Sequence, residues 1–178
     1  MEKRPAKDQY YLNIAKEIAQ RSTCFRNKFG SIVVKDDTIL ATGYVGAPRK
    51  IKDCLERGFC LREELKIPHG QRYELCRSVH SEQNAIINAA RSGANLLGGD
   101  MYIYGEKKEN SEAIDAYPCF ICKKMIINVG INRIICSTRE GGYKIFNTQD
   151  WVKEWQEKDI IEAKDQYGLD QNLKEGKI

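Results

Sequence analysis

YPCFICKKMIINVGINRII, residues 117–135, carries a helix and a strand in immediate succession, and two cysteines at the point where the helix begins. Pro118 suits a first helical turn, because the N–H it lacks would have had no partner there. A helix is therefore predicted over Cys119–Val129, followed by a strand over Ile131–Cys136. Cys119 and Cys122 stand three positions apart, so their thiols face one side of the first turn. Free N–H groups and the helix dipole stabilise thiolates at that end.

The same alternation continues upstream. Ala85, Ile86, Ala89 and Ala90 recur at helical spacing between Val79 and Arg91, with Gly93 as the stop. Asp100–Tyr104 reads as a buried strand between this helix and the next. Residues 7–21 place Tyr11, Ile14, Ala15 and Ile18 on one face of an opening helix. SIVVKDDTILATGY, residues 31–44, is two β-branched runs around Lys35-Asp36-Asp37, a hairpin pattern. Strands alternating with helices predict an α/β fold, a sandwich around a mainly parallel or mixed sheet. Residues 46–76 break the rhythm: polar, irregular and holding three cysteines, a long stretch that something must tie down. From Trp151 onward the chain is charged, and one helix with a frayed end is expected.

Composition bounds the function. A chain of 178 residues with 42% hydrophobic and 30% charged residues is expected to form one domain with a substantial core. Its apolar runs are too short and interrupted to span a bilayer. MEKRPAKDQYY lacks a following apolar stretch and cleavage site, so no secretory signal is expected and a cytoplasmic location is. In a reducing compartment seven cysteines point to metal or catalytic chemistry rather than disulfides. A net charge of +4 suits a small anionic substrate at least as well as a nucleic acid and does not by itself decide the partner, but the lack of a concentrated basic run argues against nucleic acid.

His80 opens the helix that follows residue 79, and Glu82 stands two positions later. Alone, such a histidine is an ordinary capping or buried residue, and a lone CxxC is ambiguous among redox chemistry, structural zinc and chance. Two thiolates and one imidazole, however, leave a tetrahedral zinc with one open position, the catalytic pattern. The order H-x-E followed by P-C-x-x-C is the signature of zinc nucleobase deaminases, whose glutamate shuttles protons and is not a ligand. Cys76 and His80, four apart, form a rival grouping, but only the pairing with Cys119 and Cys122 gives Glu82 a task.

HSEQNAIINAA (80–90), YPCFICKKMIINVGINRII (117–135) and FGSIVVKDDTILATGYVGAPR (29–49) resemble segments of the deoxycytidylate (dCMP) deaminase family. The resemblance covers roughly residues 8–138. It implies a three-layer α/β/α sandwich of the cytidine-deaminase type, with a mixed five-stranded sheet. The implied organisation is one deaminase domain over 1–178, with a core at 8–138, a zinc-tethered insertion at 46–76 and a charged tail at 150–178. The implied activity is zinc-dependent hydrolysis of dCMP to dUMP and ammonia, with Glu82 catalytic and His80, Cys119 and Cys122 as the zinc ligands.

Further expectations follow from the same resemblance. Arg26, Asn27, Val45 and Arg91 match positions concerned with nucleotide or effector, although a solvated basic turn would explain Arg26 and a surface arginine Arg91; Asn84 is expected to support the substrate site from its helix, or to be an ordinary exposed asparagine. Cys24, Cys54, Cys60 and Cys76 could hold a second, structural zinc, with His69 as a substitute ligand, while Cys136 reads as a buried hydrophobe. The resemblance also implies a homo-oligomer, often a hexamer in the family, and dCTP and dTTP effectors, with Mg2+ accompanying the nucleotide. Two departures stand out. Ser81 replaces an alanine, and Val45 replaces an asparagine whose hydrogen bond to the sugar valine cannot make. The approach ENSEAIDAYPC (109–119) is also longer than usual and could reshape one wall of the pocket. Other readings stay open: a modified cytosine nucleotide as substrate, adenosine deamination in transfer RNA, and a non-catalytic zinc-stabilised interaction domain.

Overall fold

The computed structural model describes residues 4–68 and 71–157. Helix α1 (Lys7–Ala19) leads into a hairpin of β1 (Asn27–Lys35) and β2 (Thr38–Tyr44). The hairpin turns at Asp36 and Asp37, both with positive φ, the primed-turn geometry that acidic and amide side chains tolerate best after glycine. Two one-turn helices, α2 (Cys54–Arg57) and α3 (Leu61–Glu64), and a 3-10 turn (Tyr73–Leu75) follow. Then come α4 (Ser81–Ser92), β3 (Asp100–Lys107), α5 (Phe120–Asn128), β4 (Arg133–Ser137), β5 (Tyr143–Asn147) and α6 (Thr148–Glu157).

The five strands form one mixed sheet in the order β2-β1-β3-β4-β5. Only β3 and β4 run parallel; the other pairs are antiparallel. Alternate strand residues feed opposite faces. Ile32, Val34, Tyr102 and Ile135 pack under α1, with Tyr11, Leu12 and Ala15. Val33, Met101, Ile103 and Ile134 pack on the other face, with Ala85 and Ala89 of α4, Cys122 and Ile126 of α5 and Trp151 of α6. These are the three layers expected. The loop-rich segment 46–76 contains short helices: Asp53 and Glu56 form a capping box on α2, and Gly58 closes it with positive φ. The β5 edge strand was not foreseen; its exposed Tyr143, Lys144 and Ile145 hide the alternation that marks a half-buried strand. The helix expected from Trp151 begins three residues earlier, and the frayed end and His69 lie outside the described residues.

Two close approaches position α4. A Cβ on Gly43 of β2 would lie 2.3 Å from the backbone of both Ser81 and Ala85, so only glycine lets the helix rest on this strand. Gly46 and Val79 exchange backbone hydrogen bonds of 3.2 and 2.8 Å, which pins the residue just before His80.

Candidate metal centre and cavity

His80 is the N-cap of α4 and Cys119 the N-cap of α5, so both sit where helices present free N–H groups. The backbone N–H of His80 donates to Oε1 of Gln83 at 3.1 Å, one arm of a capping box at the start of α4. His80 Nδ1 lies 3.5 Å from Sγ of Cys119 and 3.4 Å from Sγ of Cys122, and the two sulfurs are 3.6 Å apart. A tetrahedral zinc with the usual bond lengths needs edges of roughly 3.5 Å between nitrogen and sulfur and roughly 3.8 Å between sulfurs. The three donors already stand at that spacing. Among the described residues they are the only His, Cys, Asp or Glu group of three whose donor atoms all lie within 4.8 Å. Cys76, the rival partner for His80, is not a member of this group.

The thiols differ electrostatically. The hydrogen bond from Cys122, helped by His80, holds Cys119 down to about 4, while the same bond and burial push Cys122 up. Burial opposes charge on His80, but its contact with Cys119 prevails and the imidazole pKa is raised. A bound divalent cation would displace the protons of this group, since zinc takes thiolates and neutral imidazole.

Glu82 is 6% exposed and lies within the first turn of α4. Its Oε2 accepts a 2.9 Å hydrogen bond from the Ser81 hydroxyl, which in turn accepts one of 2.7 Å from Ser31 on β1. Ser81 is therefore more than a tolerated substitution: it links the sheet to the carboxylate. Sequence offered no sign of Ser31, which reads as one small residue in a buried strand.

His80, Glu82 and Cys119 open into a cavity of 390 Å³, within the range of small-molecule sites. Arg26, Asn27 and Val45 line it, Val45 as a buried apolar wall. Arg26 is engaged with Glu63 at 3.6 Å. Ile114, Asp115 and Tyr117, from the long approach to Cys119, form another wall. Asn84 is not on the cavity surface; its amide donates to the carbonyls of Tyr44 at 2.8 Å and Val79 at 3.5 Å, bracing the loop after β2. Arg91 is exposed near the far end of α4 and does not line the cavity.

Cys24, Cys54, Cys60 and Cys76 all face the same cavity, and Cys54 lies near enough to the other three to feel their charge. Burial raises the Cys54 and Cys76 thiols. Three of these sulfurs do not close to within 4.8 Å as the first group does. Cys136 is fully buried in β4, as expected. All seven cysteines are free thiols.

Comparison with known proteins agrees with this arrangement. Residues 5–138 match the cytidine and deoxycytidylate deaminase zinc-binding region. The deoxycytidylate deaminase of Mycobacterium phage D29 is 35% identical over 137 residues, covering 74% of this chain and 94% of that protein. The Schizosaccharomyces pombe deoxycytidylate deaminase is 30% identical over 135 residues, or 76% of this chain; the chain spans 38% of that longer protein. Among solved structures, the dCMP deaminase of cyanophage S-TIM5 in complex with dCMP and dUMP aligns with a TM-score of 0.53 and 26% identity, over 75% of this chain and 82% of that one. The match runs through β1, α4 and the α5 cysteines, which are the parts that build the metal centre, and on that ground the chain belongs to the cytidine and deoxycytidylate deaminase family.

Proposed function

We propose that the protein is a zinc-dependent deaminase that converts dCMP to dUMP with release of ammonia. The observation that carries this reading is the buried Glu82 carboxylate, set beside three zinc-spaced donors at the mouth of a nucleotide-sized cavity. Zinc held by His80, Cys119 and Cys122 supplies Lewis-acid activation of water at neutral pH. Glu82 takes one proton of the attacking water and gives it to ring N3, then carries the second, from the hydroxyl formed at C4, to the amine, which leaves as ammonia as the C4–N bond breaks. Arg26, Asn27 and Val45 contact the nucleotide from the cavity wall. Asn84 acts indirectly, by holding the loop that carries Val45.

The four remaining cysteines that face the cavity are assigned a structural zinc. Their shared chemistry supports it, and the ion would draw the sulfurs closer together. The homo-oligomer, the dCTP and dTTP effectors with Mg2+, and the cytoplasmic setting belong to the same reading and rest on family resemblance. No helix among the described residues is long and apolar enough to cross a membrane.

Ammonia release measured across dCMP, CMP, deoxycytidine, dCTP and a transfer RNA tests the assignment. dCMP is the expected best substrate, and Glu82→Gln is expected to retain zinc but lose turnover. Activity retained in that variant, or found only on the transfer RNA, would overturn the assignment.

A further inference from the structure

Two guanidinium groups in the cavity wall each hold a buried N–H group that meets no acceptor among the described residues. Arg62 is 5% exposed. Its Nη2 donates to the Pro68 carbonyl at 2.8 Å, but its buried Nε has no hydrogen-bond partner among the described residues. Arg77 also lines the cavity, and its buried Nη1 is likewise unpartnered. A buried charged donor without an acceptor is costly, and arginine's planar fork matches phosphate oxygens. Arg26, the basic residue that sequence singles out, is already engaged with Glu63.

Aromatic contacts fix where these groups stand. The Arg62 guanidinium lies 4.9 Å from the centroid of the Tyr73 ring, and that ring meets His80 edge-on at 5.1 Å between centroids. One aromatic ring therefore separates the cation from the metal centre. Arg77 is held against Phe59, 5.4 Å from its ring. Both arginines come from the segment between β2 and α4, and both face the cavity that Glu82 enters.

We infer that Arg62 and Arg77 form the anion-binding end of this cavity and take the 5′-phosphate of the substrate, so that the protein selects a nucleoside monophosphate over the nucleoside. The inference rests on the nucleotide-deaminase reading. It moves the main phosphate contact from Arg26 to the segment between β2 and α4.

Steady-state deamination of dCMP and deoxycytidine by wild type, Arg62→Gln, Arg77→Gln and Arg62→Lys tests it, with bound zinc measured in each. Each glutamine variant is expected to lose at least about tenfold in the ratio of kcat/KM for dCMP to that for deoxycytidine, chiefly through KM, with zinc content held. Arg62→Lys is expected to recover part of that ratio. Inorganic phosphate is expected to raise the Tm of wild type and to do so less in both glutamine variants. Equal losses on the two substrates, or a wild type indifferent to the phosphate group, would overturn the inference. If no cytosine compound is deaminated, the deaminase reading fails, and the phosphate-dependent Tm still decides whether the two arginines bind an anion.

Discussion

At the scale of single residues, Ser81 is the position whose meaning the structure changes most. Its hydroxyl stands between Ser31 and Glu82, donating to the carboxylate at 2.9 Å. Hydrogen bonds to charged groups contribute about 1.5–3 kcal/mol. Ser81→Ala is therefore expected to lower kcat on dCMP by roughly tenfold while zinc binding persists, as read by turnover and metal content. Unchanged turnover would mean that Glu82 is oriented by other contacts. The grouping of His80 with Cys119 and Cys122 was legible because a histidine and a CxxC pair, each opening a helix, offer donor types that suit one zinc ion. Ser31, Arg62 and Arg77 were not, since serine in a strand and arginine in a polar segment are ordinary until the fold shows what they face.

At the scale of elements, α4 rests directly on β2, and Gly43 is the contact point. The backbone oxygen of Ser81 and nitrogen of Ala85 leave no room for a methyl group there. Gly43→Ala is expected to destabilise the protein by about 1–3 kcal/mol, the usual cost of overpacking, and to lower activity by shifting the start of α4. Urea unfolding and dCMP turnover would measure both effects, and a variant of wild-type stability would show that the helix can move away freely. Periodicity predicted α1 and α4 because each carries an apolar face, while Pro118 marked α5 and the β-branched runs marked the β1–β2 hairpin. It failed at β5, an edge strand whose residues are mostly exposed, and within 46–76, whose short helices hold only one turn each.

At the scale of the whole molecule, one cavity joins the metal centre, the insertion and the long approach to Cys119. The segment between β2 and α4 contributes Arg62, Tyr73 and Arg77 as well as three of the four outlying cysteines to the cavity wall. Replacing Cys54 and Cys60 together with serine is expected to reduce bound zinc from about two ions per chain to about one. It should also lower Tm and raise KM for dCMP; wild type that binds a single zinc would dismiss the second site. Composition could not reveal this joint wall, because its members lie far apart along the chain and meet only in the fold. The Ser31–Ser81 contact likewise joins the central sheet to the helical layer above it. An apolar residue at position 31 would strip Ser81 of its donor, whereas an alanine at 81 would leave the Ser31 hydroxyl stranded in a dry interior. The two positions are thus bound to change as a pair, and variation at either one alone should be rarer than variation at both.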